Sequence, residues 1–262
     1  YATTASGVLT SEQSFTLSLP SGHEWQDGRL EIALGRGTVA VLIEEALGRG
    51  FDFRKHASRV PPLRSELGSE LVGVSAVLAY AEAGGQVNRE DLAALRERAA
   101  GLAAALASSQ NANGSWSWSA GGADSDETTA RALWALCEAR ARGVHVPAAS
   151  VDSAVSYLQN ALRLLPGHAL EETAMVLHAL ACAGAADFGV ANRLHRSRAE
   201  MGAAGLAYTA LALSRLESHQ LATEVAALLI ERFLPGYGWK ADLTHGWHRL
   251  PIERIALALL AL

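Results

Sequence analysis

Cysteine, methionine and aromatic residues are scarce in this sequence of 262 residues. It has two cysteines, two methionines and 6% aromatic residues, while half of all residues are hydrophobic. Because alanine and leucine supply most of that half, the composition favours helices over a β-sandwich or barrel. Cys137 and Cys182 both fall in apolar segments that are predicted as buried helices. We therefore expect two free thiols that fill space in a core, and not a disulfide.

An excess of charge of one sign and long apolar runs are also lacking. Lys and Arg number 22 against 27 Asp and Glu, a net charge of −5. This scattered, slightly acidic pattern predicts neither nucleic-acid binding nor membrane contact. No apolar stretch reaches the ~20 residues that span a bilayer, and no signal peptide stands at Tyr1. Since the last residues continue an apolar helical pattern, we expect a piece of a longer protein whose cellular address is encoded elsewhere.

Motifs of the common catalytic and cofactor sites are missing as well. The sequence has no G-x-S-x-G, phosphate loop or dinucleotide fingerprint. Neither cysteine has a partner at zinc-ligand spacing. His178 sits in an apolar helical segment and is expected to be a satisfied buried histidine, and His245 and His248 favour a packed loop over a metal site. We predict no catalytic residue, no cofactor and no metal site.

The periodicity of the chain changes at about residue 37. Apolar and polar residues alternate at 15–19 and 29–34, which predicts two strands within a β segment at 1–36. A lone hairpin is marginal in water, so these strands should pair with something else. From 37 to 262 the pattern is helical, which predicts an all-α region truncated at its C-terminus.

Apolar helices are predicted to alternate with amphipathic ones in this second region. The N-caps Asn88 and Ser150 each precede an amphipathic helix, and Gly84 and Gly85 stop the helix before Asn88. Apolar helices are predicted at 38–47 (short and buried), 69–83, 130–139, 170–183, 205–217 and 251–262. The amphipathic or polar helices are predicted at 88–109, 150–164, 188–200 and 221–233.

A loose internal repeat runs through the apolar helices. The pattern Ala-x-x-Leu-x-Ala-Leu starts at Ala130, Ala174 and Ala256, with a weaker copy at Ala207. The distance in sequence from one copy to the next suits helical hairpins joined by loops of variable length. Two arrays fit: an open solenoid of helix pairs, or a closed ring with apolar helices inside and amphipathic helices outside. We favour the ring, an α/α toroid, because small alanines let many helices crowd around one axis.

The stretch 110–139 joins a Gly/Asn/Ser loop to a buried helix. Within Gln110-x-x-x-Gly114-x-Trp116, we expect the glutamine to tie a helix end, the glycine to permit a turn and the tryptophan to pack between outer helices. Asp124 and Asp126 then start the next helix as caps and first-turn acids. The same acids in Asp124-Ser-Asp126-Glu127 are similar to the Asp-x-Asp-Asp of class II terpene cyclases, although the last position differs.

The longer similarity of this stretch is to a different family. Residues 110–158 resemble the thioester domain of bacterial α2-macroglobulins, which is an α/α toroid. The matching residues are Gln110, Gly114, Trp116, Gly121, Gly122, Ser125, Asp126, Thr129 and Ala130, then all of 139–147, and Val155, Ser156, Tyr157 and Leu158. Residues 252–260 fit a late inner helix of that domain. The resemblance implies that 37–262 is such a domain and that the strands before it belong to a flanking β-domain.

The residues that carry the family's chemistry are not found. Members with a thioester have Cys-x-Glu-Gln, whose Cys and Gln side chains condense into a reactive acyl group. Neither cysteine stands in that motif, and the one Glu-Gln pair, Glu12-Gln13, follows Thr10-Ser11 within the predicted β segment instead of at a helix start. We therefore expect a domain without a thioester, which could not attach itself to a target by acyl transfer.

The resemblance implies a structural and interaction domain of a protease-inhibitor protein, with no enzyme activity of its own. Proteases would be partners of the whole protein, neighbouring domains would be partners of this one, and the location would be periplasmic or extracellular. The alternatives are a small cyclase or prenyltransferase that works inside the ring, and a plain repeat scaffold with an open binding face.

Tryptophans cluster in or beside the Gly-rich loops. They are Trp116, Trp118, Trp134, Trp239 and Trp247. These rings could pack at the edge of the ring of helices, or Trp116, Trp118, Trp239 and Trp247 could form an aromatic surface for a partner. The sequence leaves both readings open.

Overall fold

The computed structural model describes residues 38–49, 64–119 and 121–233. The chain divides into two compact units, Tyr1–Phe51 and Asp52–Leu262. Several sequence predictions lie outside the described residues and stay predictions. They are the strands at 15–19 and 29–34 with the segment 1–36, the helix at 251–262, and the residues His245, His248, Trp239 and Trp247.

The first unit contributes one described helix, α1 (Thr38–Ala46). The prediction of a short helix here is confirmed, but the prediction that it is buried is wrong. Val39, Val41 and Leu42 are 41, 51 and 56% exposed, and only Ala46 is buried. Its apolar run therefore does not mark a packed face, because three large apolar side chains lie at the surface.

The second unit is all-α in its described part, as predicted, apart from one two-stranded ribbon. Strands β1 (Trp116–Ser117) and β2 (Asp124–Ser125) pair antiparallel, with Trp116 opposite Ser125. The helices are α2 (Arg64–Glu82), α3 (Arg89–Ser108), α4 (Asp126–Ala141), α5 (Ala148–Leu164), α6 (Leu170–Cys182), α7 (Phe188–Arg196), α8 (Ala203–Arg215) and α9 (His219–Phe233), with a 3₁₀ turn at Arg198–Glu200.

These helices form two layers. In the inner layer α2 packs on α4, α4 on α6, and α6 on α8. Helix α3 packs on α2 and α4, α5 on α4 and α6, α7 on α6 and α8, and α9 on α8. Helices α3, α5, α7 and α9 are the outer layer. Each of them packs on the inner helix that precedes it in the chain, and α3, α5 and α7 also contact the inner helix that follows.

The repeated alanines and leucines form the interface between the inner helices. In α4 the four repeat positions Ala130, Leu133, Ala135 and Leu136 are at most 1% exposed. The equivalent residues of α6 and α8 are at most 2% exposed: Ala174, Leu177, Ala179, Leu180, Ala207, Ala210, Ala212 and Leu213. A small residue at every second or third buried position lets inner helices approach closely.

Helix starts differ from their predicted positions at several places. Asn88 caps α3 as predicted, its Oδ1 accepting from the amide of Asp91 at 2.8 Å. Ser150 does not cap α5, because the helix already begins at Ala148 behind Pro147. Pro147 is the residue before the helix, with φ −58° and ψ 125°, and no side chain caps the helix start. Helices α2 and α8 also begin earlier than predicted, by five and two residues.

The polar helix predicted at 188–200 is interrupted. Helix α7 ends at Arg196, and the 3₁₀ turn Arg198–Glu200 follows after Ser197. Arg198 donates to the carbonyl of His195 at 2.7 Å and so satisfies one of the last carbonyls of α7.

Candidate functional site

Trp116 lies at the centre of the loop that precedes α4. Its side chain is fully buried, and its indole Nε1 donates to the carbonyl of Leu106 at 2.9 Å and to the hydroxyl of Ser109 at 3.2 Å. Its backbone amide donates to the hydroxyl of Thr129 at 2.9 Å. Trp116 therefore ties the end of α3 to the first turn of α4, and it is inaccessible to a partner.

Gln110 and Gly114 fix the same loop against α5. The side-chain Nε2 of Gln110 donates to the carbonyl of Gly114 at 3.0 Å and to that of Ser150 at 2.9 Å. Gly114 has φ +89°, and a Cβ added there would lie 2.3 Å from the carbonyl oxygen of Ser153. Only glycine fits this approach of loop and helix. The helix end that Gln110 ties is the start of α5.

Asp124 organises the exposed part of the loop. Its carboxylate accepts from Asn113 Nδ2 at 2.7 Å, from Asn111 Nδ2 at 3.0 Å and from the Ser115 hydroxyl. These bonds, chiefly those from Ser115 and Asn113, lower the pKa of Asp124, while partial burial acts in the opposite sense. The group is thus a carboxylate at neutral pH. The residue that caps α4 is Ser125, whose hydroxyl accepts from the amide of Thr128 at 3.1 Å, so the prediction that Asp124 starts the helix is wrong.

The remaining acids of the motif hold neighbouring helices. Asp126, the first residue of α4, accepts from the Tyr157 hydroxyl of α5 at 2.8 Å. Burial, and secondly this bond, raise the pKa of Tyr157. Glu127 pairs with Arg131 one turn along α4 at 3.0 Å. The carboxylates of 124–127 are therefore engaged with side chains that hold the loop and the helices.

Trp118 differs from Trp116, although the two are separated by one residue. Its side chain is 53% exposed, at the end of β1. Of the four tryptophans considered as a partner surface, Trp118 is thus the one found exposed within the described residues.

A cluster of rings, which the sequence reasoning missed, lies on the inner helices. Trp134 of α4 packs edge-on against His178 of α6, with ring centroids 5.1 Å apart, and against Tyr208 of α8 at 6.5 Å. His178 and Tyr208 lie 5.6 Å apart. The repeat held the signal, because Trp134 and His178 are separated by 44 residues, the same offset as Ala130 and Ala174. Equivalent positions of neighbouring inner helices therefore point the same way.

His178 is a buried neutral imidazole, as its apolar helix predicted. It is 3% exposed, and burial, with a smaller effect of Arg215, lowers its pKa from 6.5 to about 3. Cys182 Sγ lies at nearly equal distances from Nδ1 and Nε2, 3.9 and 3.7 Å. The sulfur is therefore not in line with the lone pair of either nitrogen, and the two groups do not form a nucleophile–base pair.

Both thiols are free, and burial holds them in the protonated form at neutral pH. Burial raises the pKa of Cys137 to about 11 and that of Cys182 to about 12. Since the thiolate is the nucleophile and the metal ligand, neither residue is suited to acyl transfer. Beside them, Arg215 of α8 forms an ion pair with Glu138 of α4.

The described part of the chain contains neither a cluster of metal-binding side chains nor a helix that could span a membrane. In residues 38–49, 64–119 and 121–233, no three or more His, Cys, Asp or Glu side chains are arranged to hold a metal ion. In the same ranges no helix combines the length and the apolar character needed to cross a bilayer.

The described part of the chain thus forms an all-α domain of paired inner and outer helices, in which the loop before α4 is hydrogen-bonded to neighbouring helices. The solved structures with this fold include bacterial α2-macroglobulins. The Escherichia coli protein from domain MG7 to its C-terminus matches 74% of this chain with a TM-score of 0.55 and 17% identity. The native conformation of the Escherichia coli protein matches 84% (0.57, 16%), and Salmonella α2-macroglobulin reacted with methylamine matches 86% (0.54, 15%).

The similarity is one of fold, and it covers a small part of those proteins. This chain spans 31% of the Escherichia coli fragment and 15 and 16% of the other two chains. No family model matches the sequence, and no curated protein matches it significantly.

Proposed function

We propose that this chain is a structural and interaction domain, without catalytic activity, of an α2-macroglobulin-like protease-inhibitor protein that lacks a thioester. The observation that carries this proposal is the match of fold to bacterial α2-macroglobulins over 74–86% of the chain. The domain would be an α/α toroid, in which the ladder from α2 to α8 is part of the inner ring. The Gln110–Gly114–Trp116 loop supports this, because it joins two outer helices to one inner helix.

The absence of acyl transfer is supported by both cysteines. Cys137 is followed by Glu-Ala-Arg and Cys182 by Ala-Gly-Ala, so neither has a Gln side chain at the spacing of Cys-x-Glu-Gln. Their raised pKa values keep them protonated at neutral pH.

The cyclase alternative is not favoured by the geometry of its candidate acids. A class II cyclase needs a protonated carboxyl aimed into an apolar cavity, whereas the bonds to Asp124 favour its carboxylate. Asp126, the middle acid of the motif, accepts a hydrogen bond from Tyr157 between two helices. These acids act as parts of the scaffold.

Partners follow from the proposed role. Related structures include Escherichia coli α2-macroglobulin activated by trypsin and by porcine elastase, so we propose that proteases engage the whole protein and that this domain contacts neighbouring domains. The exposed ring of Trp118 is the proposed contact point. Trp239 and Trp247, which lie outside the described residues, stay candidates from the sequence alone. The location would be periplasmic or extracellular.

The experiment is intact-mass measurement of the chain before and after incubation with methylamine, which opens a thioester and adds one amine. Salmonella α2-macroglobulin, which reacts with methylamine, is the positive control. We expect no mass gain here. A gain of one methylamine would contradict the proposed absence of a thioester.

A count of thiols gives an independent answer. In denaturant a thiol reagent should titrate both cysteines of the chain, with or without methylamine. A thioester would hide one thiol until methylamine had released it.

A further inference from the structure

His178 occupies the junction of three inner helices. Its ring contacts Trp134 of α4 at 5.1 Å and Tyr208 of α8 at 5.6 Å between centroids, while its own backbone belongs to α6. A charge that appears on this ring therefore acts on α4, α6 and α8 together.

The surroundings of the ring suit a neutral imidazole. The sulfur of Cys182 lies 3.9 Å from Nδ1 and 3.7 Å from Nε2, in line with neither, and within the described residues neither nitrogen is hydrogen-bonded to an oxygen. A protonated imidazole has two N–H donors, and a thiol is a weak acceptor. Burying a charge with such partners is costly, so the helices must separate or admit water when the ring gains a proton.

The charged and titratable groups around the ring do not offset that cost. On α8, Arg215 adds a like charge, and its partner Glu138 on α4 is already engaged by it. On α6, Glu171 accepts from the amide of Gly202 at 2.7 Å. The thiols nearby, Cys137 of α4 and Cys182 of α6, stay protonated at neutral pH. Tyr157 of α5 is hydrogen-bonded to Asp126, and His195 of α7 lies against Glu224.

We propose that the contact of α4, α6 and α8 around His178, called the joint below, opens in acid and that His178 is its pH sensor. Its neutral ring holds α4, α6 and α8 together at neutral pH, and protonation separates these helices and loosens the helical unit. The device would let a fall in pH change how this unit meets its neighbours, independently of any thioester.

The direction of the effect follows from the histidine's titration. Burial lowers the pKa of His178 from 6.5 to about 3, so the unfolded chain takes up a proton between these values and the folded chain does not. The free energy of unfolding therefore decreases as the pH falls below about 6.5, and the stabilisation is fully present only above it.

A second buried histidine offers an internal contrast. His195 of α7 is 8% exposed, but its Nε2 lies 2.9 Å from a carboxylate oxygen of Glu224 on α9. A proton gained there would form an ion pair. The acid sensitivity of the joint is thus assigned to His178.

The test is urea unfolding of the full chain between pH 7.5 and pH 4. The natural sequence is compared with His178→Phe, which keeps a ring and cannot be protonated, and with His145→Asn at an exposed histidine. Below about pH 6 the unfolding constant of the natural chain should rise by up to tenfold per pH unit relative to His178→Phe. Titration of carboxylates is common to all three chains and cancels.

Two outcomes of this comparison would overturn the proposal. One is an equal pH dependence of the natural chain and His178→Phe. The other is an altered pH dependence in His145→Asn of the size expected for His178.

Two measurements keep the test decisive if His178→Phe does not fold. His178→Gln replaces it in the same comparison. In the natural chain, an imidazole resonance of His178 that titrates near pH 6.5 without loss of structure would refute the joint. Faster hydrogen exchange in α6 at pH 5 than at pH 7.5, after correction for intrinsic rates, would support it.

Discussion

The ring of Trp134 meets the ring of Tyr208 edge-on at 6.5 Å, although their helices are not neighbours in the inner layer. Helix α6 packs between α4 and α8. Side chains of α4 and α8 can meet past α6 only if α4 and α8 lean toward the same side of α6. The ion pair of Glu138 with Arg215 spans the same two helices. The inner layer is therefore concave on the side of the rings.

Replacing Trp116 by Phe should lower the free energy of unfolding by about 1–3 kcal/mol. The change removes the indole donor to Leu106 and leaves a gap in a fully buried position. Trp118→Phe is the matched control, because that ring is half exposed, and its effect should stay within about 0.5 kcal/mol. Urea unfolding at pH 7 measures both variants. Equal losses of stability would contradict the predicted contribution of the buried indole of Trp116 and its hydrogen bond.

Gly114→Ala should destabilise the chain more than Gly143→Ala. Both glycines have positive φ, +89° and +77°, which costs an alanine about 1–2 kcal/mol. At Gly114 the new Cβ also meets the Ser153 carbonyl at 2.3 Å, whereas at Gly143 nothing lies within 4 Å. Thermal unfolding measures both variants: Gly143→Ala reports backbone strain alone, and Gly114→Ala reports backbone strain together with the steric clash. A smaller loss for Gly114→Ala would mean that loop and helix move apart freely.

Asp124→Asn should weaken the loop at neutral pH and matter less in acid. The bonds from Ser115 and Asn113 hold the pKa of Asp124 below its ordinary 3.8. Its carboxylate therefore stabilises the fold above about pH 4, and this contribution is lost as the pH falls through the lowered value. Urea midpoints of variant and natural chain should differ at pH 7 and converge toward pH 3. A constant difference would point to lost packing instead of lost charge.

Leu133→Ala should cost about 2–5 kcal/mol, because it empties a fully buried repeat position in α4. Leu164→Ala removes the same atoms from a side chain that is 84% exposed at the end of α5. That control should change the stability by at most about 0.5 kcal/mol. Denaturant unfolding of the pair tests whether the repeat marks the core.

The sequence was sufficient for elements whose signals are local. Periodicity and the repeat predicted the helices and the buried face that carries Leu133, and Asn88 was identified as a cap from its residue type alone. The starts of α5 and α8 were misplaced, because these helices begin after Pro147 and Gly202, which have no capping side chain to signal the start. The site depends on contacts between distant residues. Nothing near His178 in sequence indicates that Tyr208 lies beside it.

The contacts of Trp134 with Tyr208 and of Glu138 with Arg215 join residues 74 and 77 positions apart and skip one inner helix. In an open solenoid each repeat touches only the next, so stability is a sum of neighbouring terms and folding can start anywhere. Here α8 also contacts α4. Removing α8 and α9 should therefore destabilise α4, which ends more than 60 residues before α8 begins. The helical pairs should therefore melt together in one cooperative transition instead of one after another.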